Sequence, residues 1–398
     1  MNPSLRRLRD FFVSLKLSVT LLSFGLLLVF AGTLAQVDLG IWAIQEKFFR
    51  SFIALWKIGG LTIPLPGGYT IGGLLLINLL AAHIYRFKFT WKKTGIQLTH
   101  TGLILLLVGE LLSGLWQEDF SMRLVQGEPK NFSESYRDNE LAFIDTTDAQ
   151  FDDVVVIPES RLTTGATLQH PKLPFRVVTK IYYPNSSLSS RGPIDGNNPA
   201  AAATTPSLSP ATRGAGTRIT AVPQALTYKQ DERNVPTAFI ELIGAEGSLG
   251  TWLVSAHSAM TPQTFAHAGR QWTVGIRISR AYKPFALTLL KFSHDRYAGT
   301  EIPKNFSSRI RLTTPDGRDD REVLIYMNNP LRYDGLTFYQ ASFDPNDNKV
   351  TILQVVRNPS WLIPYIACAI MTLGLTVQFS IHLLAFVGKR RVPRPSLA

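Results

Sequence analysis

Three of the chain's seven histidines, His83, His100 and His382, lie inside long apolar stretches. Ionisable side chains are costly within a bilayer and usually mark a functional site. A neutral imidazole is also a standard axial ligand of haem iron. The simpler interpretation is that each imidazole reaches the membrane interface or hydrogen-bonds to a neighbouring helix. The residue types therefore indicate either iron ligation or ordinary helix packing.

Four apolar stretches must position these histidines, at about 17–35, 69–87, 95–116 and 361–387. Each is close to the ~20 residues that cross the hydrocarbon core of a membrane. The first follows a basic N-terminus and resembles a signal peptide, but its length favours an uncleaved anchor. The sequence therefore predicts a membrane protein with four transmembrane helices.

Basic residues flank these spans and predict their orientation, because short cytoplasmic segments are rich in Lys and Arg. If both termini are cytoplasmic, all three clusters lie on the cytoplasmic side. The clusters are Arg6, Arg7, Arg9 and Lys16; Arg86, Lys88, Lys92 and Lys93; and Lys389, Arg390, Arg391 and Arg394. In this topology His83, His100 and His382 lie about 5, 8 and 10 Å from the cytoplasmic ends of their helices.

Glu110 is a second ionisable residue within the third span, LTHTGLILLLVGELLSG. It follows His100 by about 15 Å along the helix and on a face turned about 80° away. A role in a proton path or in pairing with a cation is one interpretation. A buried hydrogen bond to a neighbouring helix is the other. Gly102, Gly109 and Gly114 suit close helix packing under either interpretation of Glu110.

Two segments are expected on the external side of the membrane. The link 36–68 contains IWAIQEKFFRSFIALWKI, which predicts an amphipathic interfacial helix near 41–58 or a short fifth helix packed on the bundle. The region 117–359 contains short β-branched and aromatic runs, and TAFIELIGAEGSLGTWLVSA, SRIRLTTPDGRDDREVLIYM and LTFYQASFDPNDNKVTILQVV are predicted hairpins. We expect an antiparallel β-rich domain, interrupted by a flexible Ser-, Pro- and Gly-rich insertion at 185–217.

The expected organisation is thus a membrane region at 1–116, an extracytoplasmic β-rich domain at 117–359, and a fourth span with a basic cytoplasmic tail at 360–398. This is an α+β chain overall. With Cys368 as its one cysteine, it lacks an intramolecular disulfide and dithiol chemistry. Much of its net charge of +12 lies beside the spans, so nucleic-acid binding is not expected. The sequence shows no nucleophile–base pair, phosphate loop or zinc spacing.

Several stretches of the sequence are characteristic: FFVSLKLSVTLLSFGLLLVFAGTLAQ, LTHTGLILLLVGELLSGL with LVQGEPKNF, and the most specific pair, KFSHDRYAGTEIPKNFSSRIRL and MNNPLRYDGLTFYQASFDP. They resemble the ResB family of System II cytochrome c biogenesis proteins. The resemblance extends over nearly the whole chain and includes the layout of four spans. It implies an accessory subunit in the unfused form of the family, without the tryptophan-rich haem-handling loop of its partner.

The resemblance also implies a role in a bacterial cytoplasmic (inner) membrane. The family pairs with a CcsA- or ResC-like membrane protein, carries haem b across the membrane and presents it to apocytochrome c. Since this chain has no dithiol, a thioredoxin-like protein must reduce the apocytochrome cysteines. His100 matches the family's third-span histidine and is the first candidate for an axial haem ligand.

Further candidates for cofactor binding are His83 and the external His294, which also suits ordinary packing in a hairpin. Arg86, Lys88, Lys92 and Lys93 are candidates for pairing with the haem propionates, beside their role in topology. The alternative function is a non-haem membrane anchor whose external domain binds another protein. A secondary transporter is disfavoured because the spans lack inverted-repeat symmetry.

Overall fold

The computed structural model describes residues 3–86, 90–190, 210–229, 232–296, 303–344 and 347–390. The chain divides into two compact units. The membrane unit comprises Met1–Glu118, Tyr228–Gln230 and Arg357–Ala398. The β unit comprises Asp119–Thr227 and Asp231–Val356.

The membrane unit is built from helices, four of which are long and apolar enough to cross a membrane. Their apolar segments are Leu15–Leu39, Gly68–Tyr85, Trp91–Trp116 and Ile363–Gly388. The helices of the described residues are α1 (Pro3–Phe12), α2 (Leu15–Leu39), α3 (Ile41–Ile44), α4 (Gly68–Tyr85), α5 (Thr94–Trp116) and α6 (Ile363–Arg390). The four predicted spans are confirmed as apolar helices, whereas the orientation in a membrane stays a prediction.

The first part of the link between α2 and α4 matches the predicted short helix packed on the bundle, since Ile44 and Phe48 are buried against α2 and α4. Helical structure covers only α3 and a π-helical turn, Gln45–Phe49. A hairpin follows, formed by β1 (Ile53–Ile58) and β2 (Leu61–Pro66). Its two-residue turn, Gly59-Gly60, has positive φ at both positions, as a type I′ turn requires. The predicted helix near 41–58 is therefore wrong beyond Phe49, because this glycine pair turns the chain back and gives 53–58 a strand partner.

Helices α5 and α6 pack with their backbones in close approach. Gly95, Gly102 and Gly109 recur at every seventh residue of α5 and face α6. A Cβ atom at Gly95 would lie 2.5 Å from the Gly374 carbonyl oxygen, and one at Gly109 would lie 2.7 Å from Ile363 Cγ2. The three glycines thus leave no room for side chains at this contact. Their spacing places α5 antiparallel to α6, with Gly95 near Gln378 and Gly109 near Ile363.

The β unit contains a ten-stranded and a four-stranded sheet, described from the residues given above. In the larger sheet the order is β15-β14-β13-β4-β3-β18-β17-β16, with β12 paired to β13 and β5 to β4. In the smaller sheet it is β11-β10-β7-β6. The strands are β3 (Glu118–Val125), β4 (Pro129–Asp145), β5 (Asp153–Pro158), β6 (Thr167–Leu168), β7 (Arg176–Tyr183), β8 (Ser186–Ser190), β9 (Ile219–Pro223), β10 (Thr237–Gly244), β11 (Gly247–Ser255), β12 (Gln263–His267), β13 (Arg270–Arg296), β14 (Pro303–Thr313), β15 (Asp320–Tyr326), β16 (Leu331–Tyr333), β17 (Leu336–Asp344) and β18 (Asp347–Arg357).

Two large hydrophobic clusters stabilise this unit, beside a smaller one around Phe239 and Leu253. One, around Phe143, Phe175 and Trp272, joins one end of the larger sheet to the smaller sheet. The other, around Phe285 and Phe338, lies among the remaining strands of the larger sheet. The three predicted hairpins are confirmed as the neighbouring strands β10–β11, β14–β15 and β17–β18. The antiparallel β-rich prediction is therefore confirmed, whereas the side of the membrane on which this unit lies stays a prediction.

The predicted flexible insertion at 185–217 is ordered at both ends. Ser186–Ser190 forms β8, which pairs antiparallel with β9. At the other end, Gly214–Thr217 is a 3₁₀ turn. Residues 191–209 of the predicted insertion lie outside the described residues. The prediction is wrong at its edges, because backbone pairing with a downstream strand orders a Ser-rich segment that buries little apolar surface itself.

Lys283 of β13 is an unusual buried cation of the β unit. It is 9% exposed, and its Nζ donates a hydrogen bond of 2.8 Å to Ser133 Oγ of β4. Burial lowers the pKa of Lys283 to about 8, although the charge of Asp334 acts in the opposite direction. Desolvation of the ammonium is therefore the dominant effect.

The α5–α6 contact predicts a difference between two glycine substitutions. Gly95→Leu should destabilise the full chain by about 1–3 kcal/mol relative to Gly73→Leu, because overpacking forces the helices apart. Both changes improve helix propensity equally, and a Cβ at Gly73 meets nothing within 4 Å. Thermal unfolding in detergent measures the difference. Equal melting temperatures for the two variants would contradict the close contact.

Lys283 predicts a stability change at alkaline pH. Between pH 8 and the ordinary lysine pKa of 10.5, the folded lysine is neutral while the unfolded one keeps its proton. The unfolded state then binds more protons, so the free energy of unfolding should rise with pH by an amount of the order of 2 kcal/mol. Denaturant unfolding at pH 7.5 and pH 10 checks this. Lys283→Met should remove this part of the increase, and an unchanged pH dependence would refute the assignment.

Candidate functional site

The backbone of α5 fixes the orientation of the His100 ring and the tautomer of the neutral imidazole. His100 lies in the second turn of the helix and is half-buried. Its Nδ1 is 2.8 Å from the carbonyl oxygen of Ile96, one turn earlier. A carbonyl oxygen only accepts hydrogen bonds, so Nδ1 carries the proton and Nε2 carries the lone pair. This is the tautomer that a histidine adopts when it ligates a metal through Nε2.

Gln378 of α6 links α5 to His382. Its side-chain Oε1 accepts a hydrogen bond of 3.2 Å from the Ile96 backbone N–H. Ile96 is in the first turn of α5, where backbone N–H groups have no partner within the helix. The Gln378 Nε2 group therefore faces the other way and lies 2.9 Å from His382 Nε2. Since the amide nitrogen only donates, His382 Nε2 is the acceptor.

The two histidines consequently differ in what they offer to a ligand. In His382 the Nε2 lone pair accepts from Gln378, and the side chain is exposed. In His100 the lone pair is on Nε2, because Nδ1 donates its proton to the Ile96 carbonyl oxygen. A chain of hydrogen bonds joins His100, Ile96, Gln378 and His382, so the structure brings these two histidines to the same end of the α5–α6 pair. His100 is the better placed of the two for metal ligation.

Asn78 is a buried polar residue that the sequence analysis did not single out. Located in the middle of the apolar run of α4, it is 4% exposed. Its Nδ2 donates to the carbonyl oxygens of Phe12 at 2.6 Å and Ser14 at 3.2 Å, and its Oδ1 accepts from Ser18 Oγ at 2.6 Å. Asn78 thus holds the start of α2 against α4. A lone Asn among Leu and Ile in the run GGLLLINLLAAH was the available signal.

His83 and the predicted basic cluster lie beside this contact. His83 is half-buried in the last turn of α4. Arg86 caps the same helix and donates a hydrogen bond of 3.3 Å to the Val13 carbonyl oxygen. Lys92 and Lys93 are exposed just before α5, and Lys88 lies outside the described residues. Lys92 and Lys93 remain accessible to an anion, whereas Arg86 also fixes the α1–α2 junction.

Glu110 does not make the buried hydrogen bond that was one of its two interpretations. Its side chain is exposed on α5. Among the described residues, Glu110 has neither a hydrogen bond nor an ion pair. The interpretation that it pairs with a cation stays a prediction and requires a group from outside this chain.

The external candidate His294 is packed in an aromatic cluster of the β unit. Its ring centroid is 4.8 Å from those of Phe306 and Phe343. Within the described part of the chain, the buried Nε2 atom of His294 has no hydrogen-bond partner. Phe306 and Phe343 also contact each other, with ring centroids 5.1 Å apart, so the geometry agrees with ordinary packing in a hairpin. A cofactor role for His294 stays a prediction.

The arrangement suits a single imidazole ligand better than a multi-residue metal centre. The described residues contain no group of three or more His, Cys, Asp or Glu side chains that could hold a metal ion. An axial haem ligand, however, requires only one imidazole. The tautomer of His100 and the lysines at the start of α5 fit an iron porphyrin with acidic propionates.

Comparison with known proteins identifies the family of the chain. The family model described as "ResB-like family" matches residues 80–352. Protein NrfI of Wolinella succinogenes is 34% identical over 110 residues. That alignment covers 26% of this chain and 12% of NrfI. The family match includes α5 with His100 and nearly all of the β unit. It supports a role in cytochrome c biogenesis, and the chain belongs to the ResB-like family.

Proposed function

We propose that this protein helps to carry haem b across the bacterial cytoplasmic membrane and to present it to apocytochrome c. In the proposed topology both termini are cytoplasmic and the β unit is extracytoplasmic. The observation that carries the proposal is the Nδ1 hydrogen bond of His100 to the Ile96 carbonyl oxygen. It orients the ring and places the lone pair of the neutral imidazole on Nε2, a nitrogen that can ligate iron, at the end of α5 that the positive-inside rule assigns to the cytoplasm.

The chain's own residues would act by binding and orienting. His100 would hold the haem iron through Nε2, and the hydrogen bond from Nδ1 would raise the basicity of that nitrogen. Lys92 and Lys93 pair with the propionates, with Arg86 and Lys88 as further candidates. His83, in the adjoining helix α4, is the second candidate ligand. When bound, the haem supplies the vinyl groups that become attached to the apocytochrome.

The remaining chemistry belongs to other proteins. The single cysteine, Cys368, provides no dithiol for reducing oxidised apocytochrome cysteines, so a thioredoxin-like protein would reduce them. We propose that a CcsA- or ResC-like membrane partner completes the haem site and that the β unit docks the apocytochrome. The chain is thus an accessory subunit rather than an enzyme by itself.

Absorption spectroscopy of the complex isolated from haem-replete cells tests the proposal. The wild type should show a Soret band. His100→Ala should reduce haem affinity by at least about tenfold, because loss of a direct ligand exceeds the cost of losing an outer-shell partner. His382→Ala is the matched control, since its Nε2 is already used by Gln378, and it should keep most of the band.

A colourless wild-type complex would contradict the haem role and favour the alternative of a membrane-anchored scaffold. Equal loss of the band in the His100→Ala and His382→Ala variants would refute the assignment of His100 as the ligand. The content of c-type cytochromes in a deletion strain provides a second measurement. Normal content would contradict a role in their maturation.

A further inference from the structure

Glu110 is an exposed carboxyl group on a helix that is otherwise apolar at this depth. It lies about 9 Å from the Trp116 end of α5 and about 24 Å from the Thr94 end. The polar groups Asn78 and Gln378 in the same unit are paired within the chain. Glu110 has no such pairing among the described residues. An acidic side chain left against lipid is costly, so its exposure requires a partner.

The surroundings of Glu110 define one side of α5. Gly102 and Gly109, about 80° and 100° around the helix from Glu110, are covered by α6. Leu103 is seven residues before Glu110, hence on nearly the same side, and is 38% exposed. Gly114, one turn after Glu110, has no atom within 4 Å of the position of a Cβ. Unlike Gly102 and Gly109, this glycine is not required by packing within the chain, and it leaves room for a helix to approach.

The charge of the occupant follows from that of Glu110. A carboxylate in a low-dielectric environment is stabilised by a cation that also donates hydrogen bonds. The described residues of a second copy offer no cation at this depth of a spanning helix. Within α2, α4, α5 and α6, the described Lys and His side chains lie towards the opposite end, namely Lys16, His83, His100 and His382. Lys47, Arg50 and Lys57 lie outside the spanning helices, in the link between α2 and α4.

We propose that the Glu110 side of α5 docks a transmembrane helix of a different protein that carries a Lys, Arg or His side chain at this depth. The carboxylate of Glu110 pairs with this cation, and the partner's backbone approaches at Gly114. This inference rests on the proposed function only in placing the chain within a membrane complex. Neither haem nor His100 enters the contact.

Site-specific photo-cross-linking in the native host membrane tests the docking side. Benzoylphenylalanine is placed at Leu103 or Leu111 of the full chain, expressed from its own locus, with the exposed Leu373 of α6 as control. Mass spectrometry identifies the cross-linked peptides. The expected product from both α5 positions, and not from Leu373, is a membrane helix of one different protein with Lys, Arg or His within about two turns of the linked residue.

A charge exchange completes the experiment. Glu110→Lys should lower the cross-linking yield by at least about tenfold, because it opposes two like charges. Replacing the partner's cation by Glu should restore the yield with Glu110→Lys. Glu110→Gln keeps the shape of the side chain and removes its charge. This variant should elute like the wild type in size-exclusion chromatography, which checks that the chain still folds.

Other outcomes overturn the inference. These are cross-links to lipid alone, to a second copy of this chain or to a helix without a cation, and a yield that Glu110→Lys does not change. Such results would leave the proposed function intact if His100→Ala still removed the Soret band. Conversely, a colourless complex with the expected cross-links would refute haem binding and retain the docking side.

Discussion

The close backbone contact between α5 and α6 is the constraint on which the membrane unit depends. Glycines at every seventh position of α5 remove the side chains that would hold the helices apart. Gln378 can then reach the first turn of α5 and satisfy the Ile96 N–H, which has no partner within its own helix. The carbonyl oxygen of the same residue, Ile96, accepts a hydrogen bond from His100 Nδ1. Helix packing thus satisfies the first turn of α5, and α5 itself orients the candidate ligand.

The polar residues of the membrane unit fall into two groups with different physical roles. Asn78 donates to the backbone carbonyl oxygen of Phe12, and Gln378 accepts from the backbone N–H of Ile96. These hydrogen bonds offset the cost of placing the two amides in an apolar environment. His100 is held by its own helix in a way that leaves a lone pair on Nε2. Glu110 is exposed without a partner among the described residues. Asn78 and Gln378 hold the helices together, whereas His100 and Glu110 indicate contacts beyond the chain.

The β unit illustrates how backbone pairing and burial override composition. The Ser-rich strand β8 is ordered by its ladder with β9, and Ser186 Oγ donates a hydrogen bond of 2.7 Å to Thr237 Oγ1. Lys283 is buried beside Ser133 although lysine is among the residues least often buried. In both cases the strands that surround the residue supply hydrogen bonds that the local sequence does not reveal.

The sequence by itself determined the features that depend on local apolar content and turn chemistry. The four apolar helices, the three β-hairpins and the family were all predictable, because spans of ~20 apolar residues and turns containing Gly are local signals. Position-by-position resemblance also identified His100 as the first candidate ligand. The hairpin at 53–66 was missed because an amphipathic run with aromatic residues suits a helix and a strand alike.

Only the tertiary structure decided how these elements meet. It showed that Gly95, Gly102 and Gly109 face α6 whereas Gly114 does not, and a glycine's neighbours are not encoded in its own spacing. It assigned the His100 tautomer, the bridge through Gln378 and the clamp at Asn78, which join residues from 4 to 282 positions apart. It also separated Glu110, which the chain leaves exposed, from polar groups that it satisfies. The reason is physical: a side chain's partners are set by the packing of distant segments, whereas apolar periodicity is set locally.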